Sequence, residues 1–505
     1  PSGFLFLTQA DTDLLALSKV VRRLDPDVPP VRAHNLSHLA ADDDVDAFLA
    51  TVLPVAEVVV VRLLGGRSSF AHGLDRIAAH ARAHDQFLVC LPGTDALDPE
   101  LTALSNVGLP VVHDVLAYLQ LGGLKNVEHM LRFLSDHLLM TGVGYDAPEP
   151  QPRHGVYHPD VPDRTLDGWR LRADPALPTI GLLFYRSHLL SGNTDFVDAL
   201  VRAGEARGAN VLPVYAYSLK EPAGDGARVG DHPLPAALSY FLRDGRPAID
   251  VLVATTSFAL SGGGTDHAAA AVLRWLDVPI VQAIAASADR KAWEQSQRGL
   301  GPLDTAMNVA IPEFDGRIVG PAVSFKQPEG GALLGAPVVR YAPHPDRVER
   351  IVGQALRLAA LRRRPNREKR IAFILTNYNA KASRVANAVG LDSPASLVRL
   401  LGAMREAGYD LPDVPPSGDA LLQALIARGS YDQDVVTEEQ LATAPARVPP
   451  RRYAEWFADL PEGRRREVAE RWGAPSGRHY VDGRGHLALA GIELGNAFIA
   501  IQPPR

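Results

Sequence analysis

Four stretches place polar side chains directly after apolar runs, where hydrogen-bonding groups can converge on a ligand. In "LLFYRSHLLSGNTDF" these are Arg186, His188, Asn193 and Thr194. In "VATTSFALSGG" they are Thr255, Thr256 and Ser257, and in "ILTNYNAK" Asn377, Tyr378 and Asn379. "IPEFDGRIVGPAVSFK" adds Glu313, Asp315, Arg317 and Lys326 near a turn. Taken one by one, the same residues also suit capping and turn roles. Taken together, they are expected to line a cleft between domains that accepts a large polar ligand.

Other chemistries find no support. No Gly-Lys dipeptide occurs, so there is no phosphate-binding loop of the Walker type. "SGGGTDHAA" is glycine-rich but has His267 where a dinucleotide fingerprint needs its third glycine. No HExxH, CxxC or GxSxG pattern is present. His129 and Asp136 lie two helical turns apart, about 10 Å along the axis, too far for one small ion. His154 and His158 in "HGVYHPD" have a ligand-like spacing, but Gly155 and Pro159 argue against the helix that would align them. "DDDVD" at 42–46 reads as a solvated helix start, and "LRRRPNREKR" as a solvated basic edge. Cys90, the single cysteine, stands in the apolar run "FLVCLPG" and reads as a small core residue.

These groups need elements to hold them. Residues 1–146 alternate apolar strands ("GFLFLT", "EVVVVRLL", "FLVCLPG") with helices, which predicts a parallel sheet. The last helix, "NVEHMLRFLSDHLLM", puts Val127, Met130, Leu131, Leu134, Leu138 and Leu139 on one face. A stretch crowded with Pro, Gly and His marks a linker or crossover over 147–178. A second α/β domain is expected over 179–364, with Asp195 opening a helix and Gly208 ending it. A third α/β unit with a helical insertion is expected over 365–505. "IGLLFYRS" and "IAFILTNY" look like the first strands of two similar lobes. The fold class is thus α/β and multidomain: several doubly wound parallel-sheet lobes with added helices, their sites at the strand carboxyl ends.

Composition narrows the partners. With 52 Lys and Arg against 58 Asp and Glu, the chain carries a net charge of −6 and lacks the basic balance of a nucleic-acid binder. No apolar run approaches the roughly 20 residues that span a bilayer. Having one cysteine, the chain forms no internal disulfide, which suits the cytoplasm.

Several long stretches carry a resemblance: "YRSHLLSGNTDFVDALVRAGEARGANVLPVYAYSLK", "MNVAIPEFDGRIVGPAVSFK" and "RIAFILTNYNAKASRVANAVGLDSPASLVRLLGAMREAGYD". With "FLFLTQADTDLLALSKVV" and "LPGTDALDPELTALSN", they resemble the cobaltochelatase and magnesium chelatase large-subunit family over essentially the whole chain. "IPEFDGRI" followed by "SFK" leans toward the cobalt branch. The resemblance implies ATP-dependent insertion of Co(II), as substrate metal, into hydrogenobyrinic acid a,c-diamide during aerobic cobalamin synthesis. It also implies two smaller motor subunits, of AAA+ and integrin-domain type, that use the ATP. Arg186, His188, Asn193, Thr256, Ser257, Arg317, Lys326, Asn377 and Tyr378 are the expected tetrapyrrole contacts.

Family members are longer and carry a His/Glu metal-site pattern that is absent here, so this chain is expected to be an amino-terminal fragment, inactive alone. Two other readings stay open: a magnesium chelatase large subunit acting on protoporphyrin, and a doubly wound binding module without catalysis.

Overall fold

The computed structural model describes residues 3–503 except 40, 95, 225–226, 230–231, 258, 260–266, 331–333, 476 and 478. The chain forms two compact units, Pro1–Ala360 and Leu361–Arg505.

The first unit is built on two large sheets, with two small two-stranded hairpins beside them. Strands β1 (Phe4–Thr8), β2 (Val31–Asn35), β3 (Val58–Leu63) and β4 (Phe87–Pro92) form a parallel sheet in the order β2-β1-β3-β4. Side chains alternate across a strand, so Phe4 and Phe6 enter one core and Leu5 and Leu7 the other. Both faces are covered, which is why these strands read as unbroken apolar runs. Helices α1 (Asp11–Val21), α4 (Leu109–Leu121) and α5 (Leu124–Leu139) fill the first core with residues such as Leu14, Val115 and Leu131. Helices α2 (Asp42–Val52) and α3 (Ala71–Ala83) cover the other face with Leu49, Leu74 and Ile77.

The second sheet has seven strands. In chain order they are β5 (His154–Val156), β6 (Thr179–Tyr185), β7 (Asn210–Ala216), β8 (Val251–Ala254), β9 (Ile280–Asp289), β10 (Ile318–Glu329) and β11 (Val338–Pro343). Their spatial order is β11-β10-β9-β8-β6-β7-β5. The inner five are parallel, and the two edge strands run antiparallel to their neighbours. The Pro-rich segment 147–178 therefore supplies sheet structure: β5 comes from it, followed by the helix Leu166–Arg172. Helix α6 (Arg186–Leu190) follows β6 directly, and α7 (Asp195–Ala206) buries Phe196, Val197, Leu200 and Val201 on the sheet. Helix α8 (Pro345–Arg363) packs into the same core through Val348, Ile351 and Val352. The two sheets are joined by packing: Leu334 and Val338 are buried in the core of the first sheet. The Ala33 amide also donates to the Leu334 carbonyl at 3.0 Å.

The second unit is built on a smaller mixed sheet. Strand β12 (Ile371–Leu375) runs parallel to β14 (Ala497–Ile501), which forms a hairpin with β13 (Gly491–Leu494). Helices α9 (Ser393–Glu406) and α10 (Gly418–Arg428) bury Leu397, Leu401, Leu421 and Leu425 against Ile492, Ile499 and Ile501. The two glycines of this hairpin serve differently. Gly495 turns the hairpin with φ +58°, whereas Gly491 lies within β13, where a Cβ would meet the Ile499 carbonyl oxygen at 2.5 Å. β6 and β12 are also less alike than their sequences imply. Ile180–Phe184 are buried throughout, while Ala372 and Ile374 of β12 are exposed.

Candidate functional site

In the first sheet the chain moves outward from β1 to β2, then returns across β1 to β3. The crevice beyond the carboxyl ends of β1 and β3 is the place where such sheets receive ligands. Three polar residues meet there. Thr8 Oγ1 donates to Asp13 Oδ2 at 2.8 Å, and Arg62 Nη1 donates to Asp13 Oδ1 at 2.7 Å. Both partners of the ion pair are largely shielded, with side chains 13% (Arg62) and 9% (Asp13) exposed.

Next to this pair lies a cavity of about 260 Å³. Asp13, Arg62, Arg186 and Ser187 supply polar lining, and Phe6, Leu17, Val127 and Leu190 are among the apolar lining residues. Gly122 and Gly123 border it too, at the turn between α4 and α5, with φ +65° and +91°. It is the positive φ of Gly122 that calls for glycine at this turn; a Cβ there would also press on Leu190 Cδ1 at 2.9 Å.

Arg186 is buried, and its bonds go to the backbone. Nε donates to the Pro152 carbonyl at 2.8 Å, and Nη2 to those of Leu121 and Gln151 at 3.1 and 3.0 Å. It thus fastens the end of α4 and the segment before β5 while lining the cavity. Burial, the largest influence, holds its pKa below the ordinary arginine value.

His188 and Asn193 lie away from this cavity's lining. The His188 ring packs edge-on to Phe196 (4.9 Å between centroids) and Tyr341 (5.4 Å), and its buried Nδ1 has no partner. Burial drives its pKa down to about 4, so it is neutral at pH 7. Asn193 Oδ1 accepts the Tyr341 amide at 3.1 Å. Lys326 Nζ donates to Asp11 Oδ2 at 2.9 Å, and Asn35 holds the other Asp11 oxygen at 2.7 Å. Burial opposes the Lys326 charge, but Asp11 and Tyr341 outweigh it, and the pKa is raised. This lysine ties the second sheet to the carboxyl end of the first.

A second polar cluster lies past the ends of β6 and β8. Arg317 Nη1 donates to the Thr256 carbonyl at 2.8 Å and to Gln282 Oε1 at 3.0 Å, and Nη2 to Asp315 Oδ2 at 2.8 Å. The Asp315 and Arg317 side chains are 0% and 2% exposed. Ser257 Oγ donates to Asn308 Oδ1 at 2.6 Å, its carbonyl accepts the Tyr185 hydroxyl at 2.7 Å, and Thr255 Oγ1 donates to the Leu183 carbonyl. Thr256, Ser257 and Arg317 therefore bond to one another's surroundings inside the fold. Glu313 is exposed nearby, and residues 260–266 of the glycine-rich stretch lie outside the described residues.

Asn377 and Tyr378 belong to the second unit. Asn377 is buried with Oδ1 unpartnered, and Tyr378 is 75% exposed. The side chain of Asn379 lies outside the described residues. Among the described residues no group of three His, Cys, Asp or Glu could hold a metal ion. His129 instead accepts the Asp146 amide, Asp136 accepts the amides of Val143 and Gly144, and His154 and His158 contact Tyr240 and Glu205. Cys90 is buried, its thiol pushed up to about 12 by burial. No described helix is long and apolar enough to cross a membrane.

Similarity to known proteins bears on what binds here. The family model for CobN/Magnesium Chelatase matches residues 116–505. The chain belongs to this family. Over its whole length it is 35% identical to the aerobic cobaltochelatase subunit CobN of Pseudomonas aeruginosa, spanning 39% of that protein. It is 32% identical to the H-type subunit of magnesium chelatase from Rhodobacter capsulatus over 76% of this chain and 32% of that one. The catalytic subunit of cobaltochelatase from Mycobacterium tuberculosis has the same fold over the whole chain, with TM-score 0.69, 34% identity and 39% of its own length covered. The chain thus spans about two-fifths of the cobaltochelatase relatives it matches. Within the family, Arg186 falls in the matched segment, whereas Asp13 and Arg62 precede it. Sequence reading missed those two, although "FLFLTQADTD", which ends on Asp13, and "VVVVRLL", which contains Arg62, set polar residues after apolar runs as the other stretches do.

Proposed function

We propose that this chain is part of the tetrapyrrole-binding large subunit of an ATP-dependent cobaltochelatase, which inserts Co(II) into hydrogenobyrinic acid a,c-diamide in the cytoplasm. The observation that carries the reading is similarity along the whole chain to aerobic cobaltochelatase subunits, against 76–85% of it for H-type subunits of magnesium chelatase. Metal insertion requires that the cation shed water, that two ring N–H protons leave, and that the ring be held bent. This chain offers binding groups for the last task. With no phosphate loop, it relies on two smaller motor subunits, of AAA+ and integrin-domain type, to use ATP.

Size limits what the cavity does. Sites for drug-sized ligands occupy roughly 300–1,000 Å³, and a tetrapyrrole with its arms is larger than such ligands. At about 260 Å³ the cavity accepts one peripheral arm, and the macrocycle needs other walls.

The test compares rings and metals. The full-length subunit should quench the fluorescence of hydrogenobyrinic acid a,c-diamide more tightly than that of protoporphyrin. With its motor subunits, ATP and Co(II), it should convert the diamide to its cobalt form in a spectral assay. Preference for protoporphyrin with Mg(II) turnover would assign the magnesium branch. Residues 1–505 alone should give no turnover.

A further inference from the structure

The charges around the cavity do not balance. Its lining residues include two arginines, Arg62 and Arg186, and one carboxylate, Asp13. Asp13 uses one oxygen on Arg62 and the other on Thr8. Arg62 bonds Asp13 through Nη1 and reaches the Pro92 carbonyl through Nε at 3.5 Å, which leaves Nη2 without a partner among the described residues. Among the described residues Arg186 bonds only carbonyl oxygens, through Nε and Nη2, which leaves Nη1 without a partner and its charge without a counterion in contact. Arg186 is 7% exposed. A buried cation without an anion is costly unless a ligand supplies one. The first turn of α5 adds positive potential, since it borders the cavity at Gly122, Gly123 and Val127 and has no side-chain cap.

The remaining lining narrows the ligand. Phe6, Leu17, Val127 and Leu190 give it apolar surface, interleaved with the polar side chains of Thr12 and Ser191. A phosphate would bring more charge than the single unmatched cation. A carboxylate on a short hydrocarbon stem matches both: one negative charge for the guanidiniums and methylenes for the apolar lining.

We propose that the cavity between Arg62 and Arg186 is a binding site for a monoanionic carboxylate on a short apolar stem. Such a group is either an arm of a larger ring or a free short-chain acid. The site depends on the tetrapyrrole reading only for which of these fills it.

The test uses pentanoate and its neutral isostere pentanamide, followed by ligand-observed saturation-transfer NMR on the 505-residue chain. Pentanoate should bind saturably, and pentanamide roughly tenfold more weakly, the size of one charge-assisted hydrogen bond. Ser187 is exposed yet lines the cavity, so Ser187→Glu adds a competing negative charge without removing a buried contact. It should weaken pentanoate by a similar roughly tenfold factor and leave pentanamide unchanged. Asp13→Asn combined with Arg62→Gln should do the same; if that pair fails to fold, Ser187→Glu decides alone. Equal binding of acid and amide, no saturable pentanoate binding, or indifference to Ser187→Glu overturns the proposal. Displacement of pentanoate by the tetrapyrrole diamide, but not by its methyl ester, identifies a ring arm as the occupant. Pentanoate binding without that displacement supports the site as one for a free acid, and only the tetrapyrrole reading then loses it.

Discussion

Arg317 and Arg186 are both buried in the first unit, and their surroundings treat them oppositely. Arg317 has Asp315 at 2.8 Å, with Gln282 and the Thr256 carbonyl completing a cluster closed to solvent. Arg186 has three carbonyls, no carboxylate in contact, and a cavity alongside. A guanidinium neutralised inside the fold is structure; one solvated only by carbonyls keeps a net charge for something that arrives. As letters in a sequence, both are equally plausible ligand contacts. The difference lies in the counterion, and perturbing each surrounding tests it.

The largest effect should follow removal of the neutralised arginine. Arg317→Met removes the guanidinium beside the buried Asp315 carboxylate and should destabilise the first unit by about 3–5 kcal/mol, read from urea unfolding. Replacing both partners with apolar residues, as Arg317→Met with Asp315→Leu, should recover most of that loss, because the desolvation penalty then vanishes as well. A single variant as stable as the parent would break the comparison at its structural end.

His188 sharpens it from the neutral side. The residue is half-buried with its Nδ1 shielded from solvent, and its folded pKa of about 4 lies below the ordinary histidine value near 6.5. Between those values the unfolded chain binds more protons than the folded one. Stability from this group is therefore present above pH 6.5 and lost as pH falls toward 4, by about 2–3 kcal/mol. His188→Phe fits between Phe196 and Tyr341 and cannot titrate. Its urea midpoint should fall less than the parent's between pH 7 and pH 4.5; parallel falls would refute the assignment.

Arg186→Ala should cost less than Arg317→Met, about 1.5–3 kcal/mol, because charged hydrogen bonds are lost but no carboxylate is stranded. The same variant should lose pentanoate binding. A loss of stability as large as that of Arg317→Met, with pentanoate retained, would make Arg186 purely a fastener of the segment before β5.

How much of this could be read beforehand depends on the range of the contacts. The parallel sheets were legible because strands covered on both faces are written as apolar runs, such as "FLFLT" and "VVVVRL". Polar residues at strand ends were legible too, as positions. Their partners were not. Arg62 meets Asp13 across 49 residues, a neighbourhood created only by the strand order β2-β1-β3-β4. Arg186 meets Leu121 across 65 residues, through an α4–α5 turn that depends on Gly122. Thr256 was singled out for its hydroxyl, yet its carbonyl takes the shorter bond from Arg317, 2.8 Å against 3.4 Å. The apparent twin strands "IGLLFY" and "IAFIL" diverge because β6 is central in its sheet and β12 is at an edge.

Lys326 is the intermediate case and should give the smallest effect. Like Arg317 it has a carboxylate partner, Asp11 at 2.9 Å, but its side chain is 30% exposed and that of Asp11 28%. Water therefore competes for both groups, and such pairs contribute about 0.2–1 kcal/mol. Lys326→Met should also leave Asp11 bound, because Asn35 still donates to its other oxygen. Neither member of this pair is fully buried, in contrast with Asp315. The expected loss is thus no more than about 1 kcal/mol, and it should shrink further as salt rises from about 0.05 to about 0.5 M, since partly exposed pairs are screened. Urea midpoints at the two salt concentrations measure both. A loss approaching that of Arg317→Met, and unchanged by salt, would mean that Asp11 and Lys326 are effectively buried. The dividing line between neutralised and unneutralised cations would then have to be drawn by the joint between the two sheets, not by exposure.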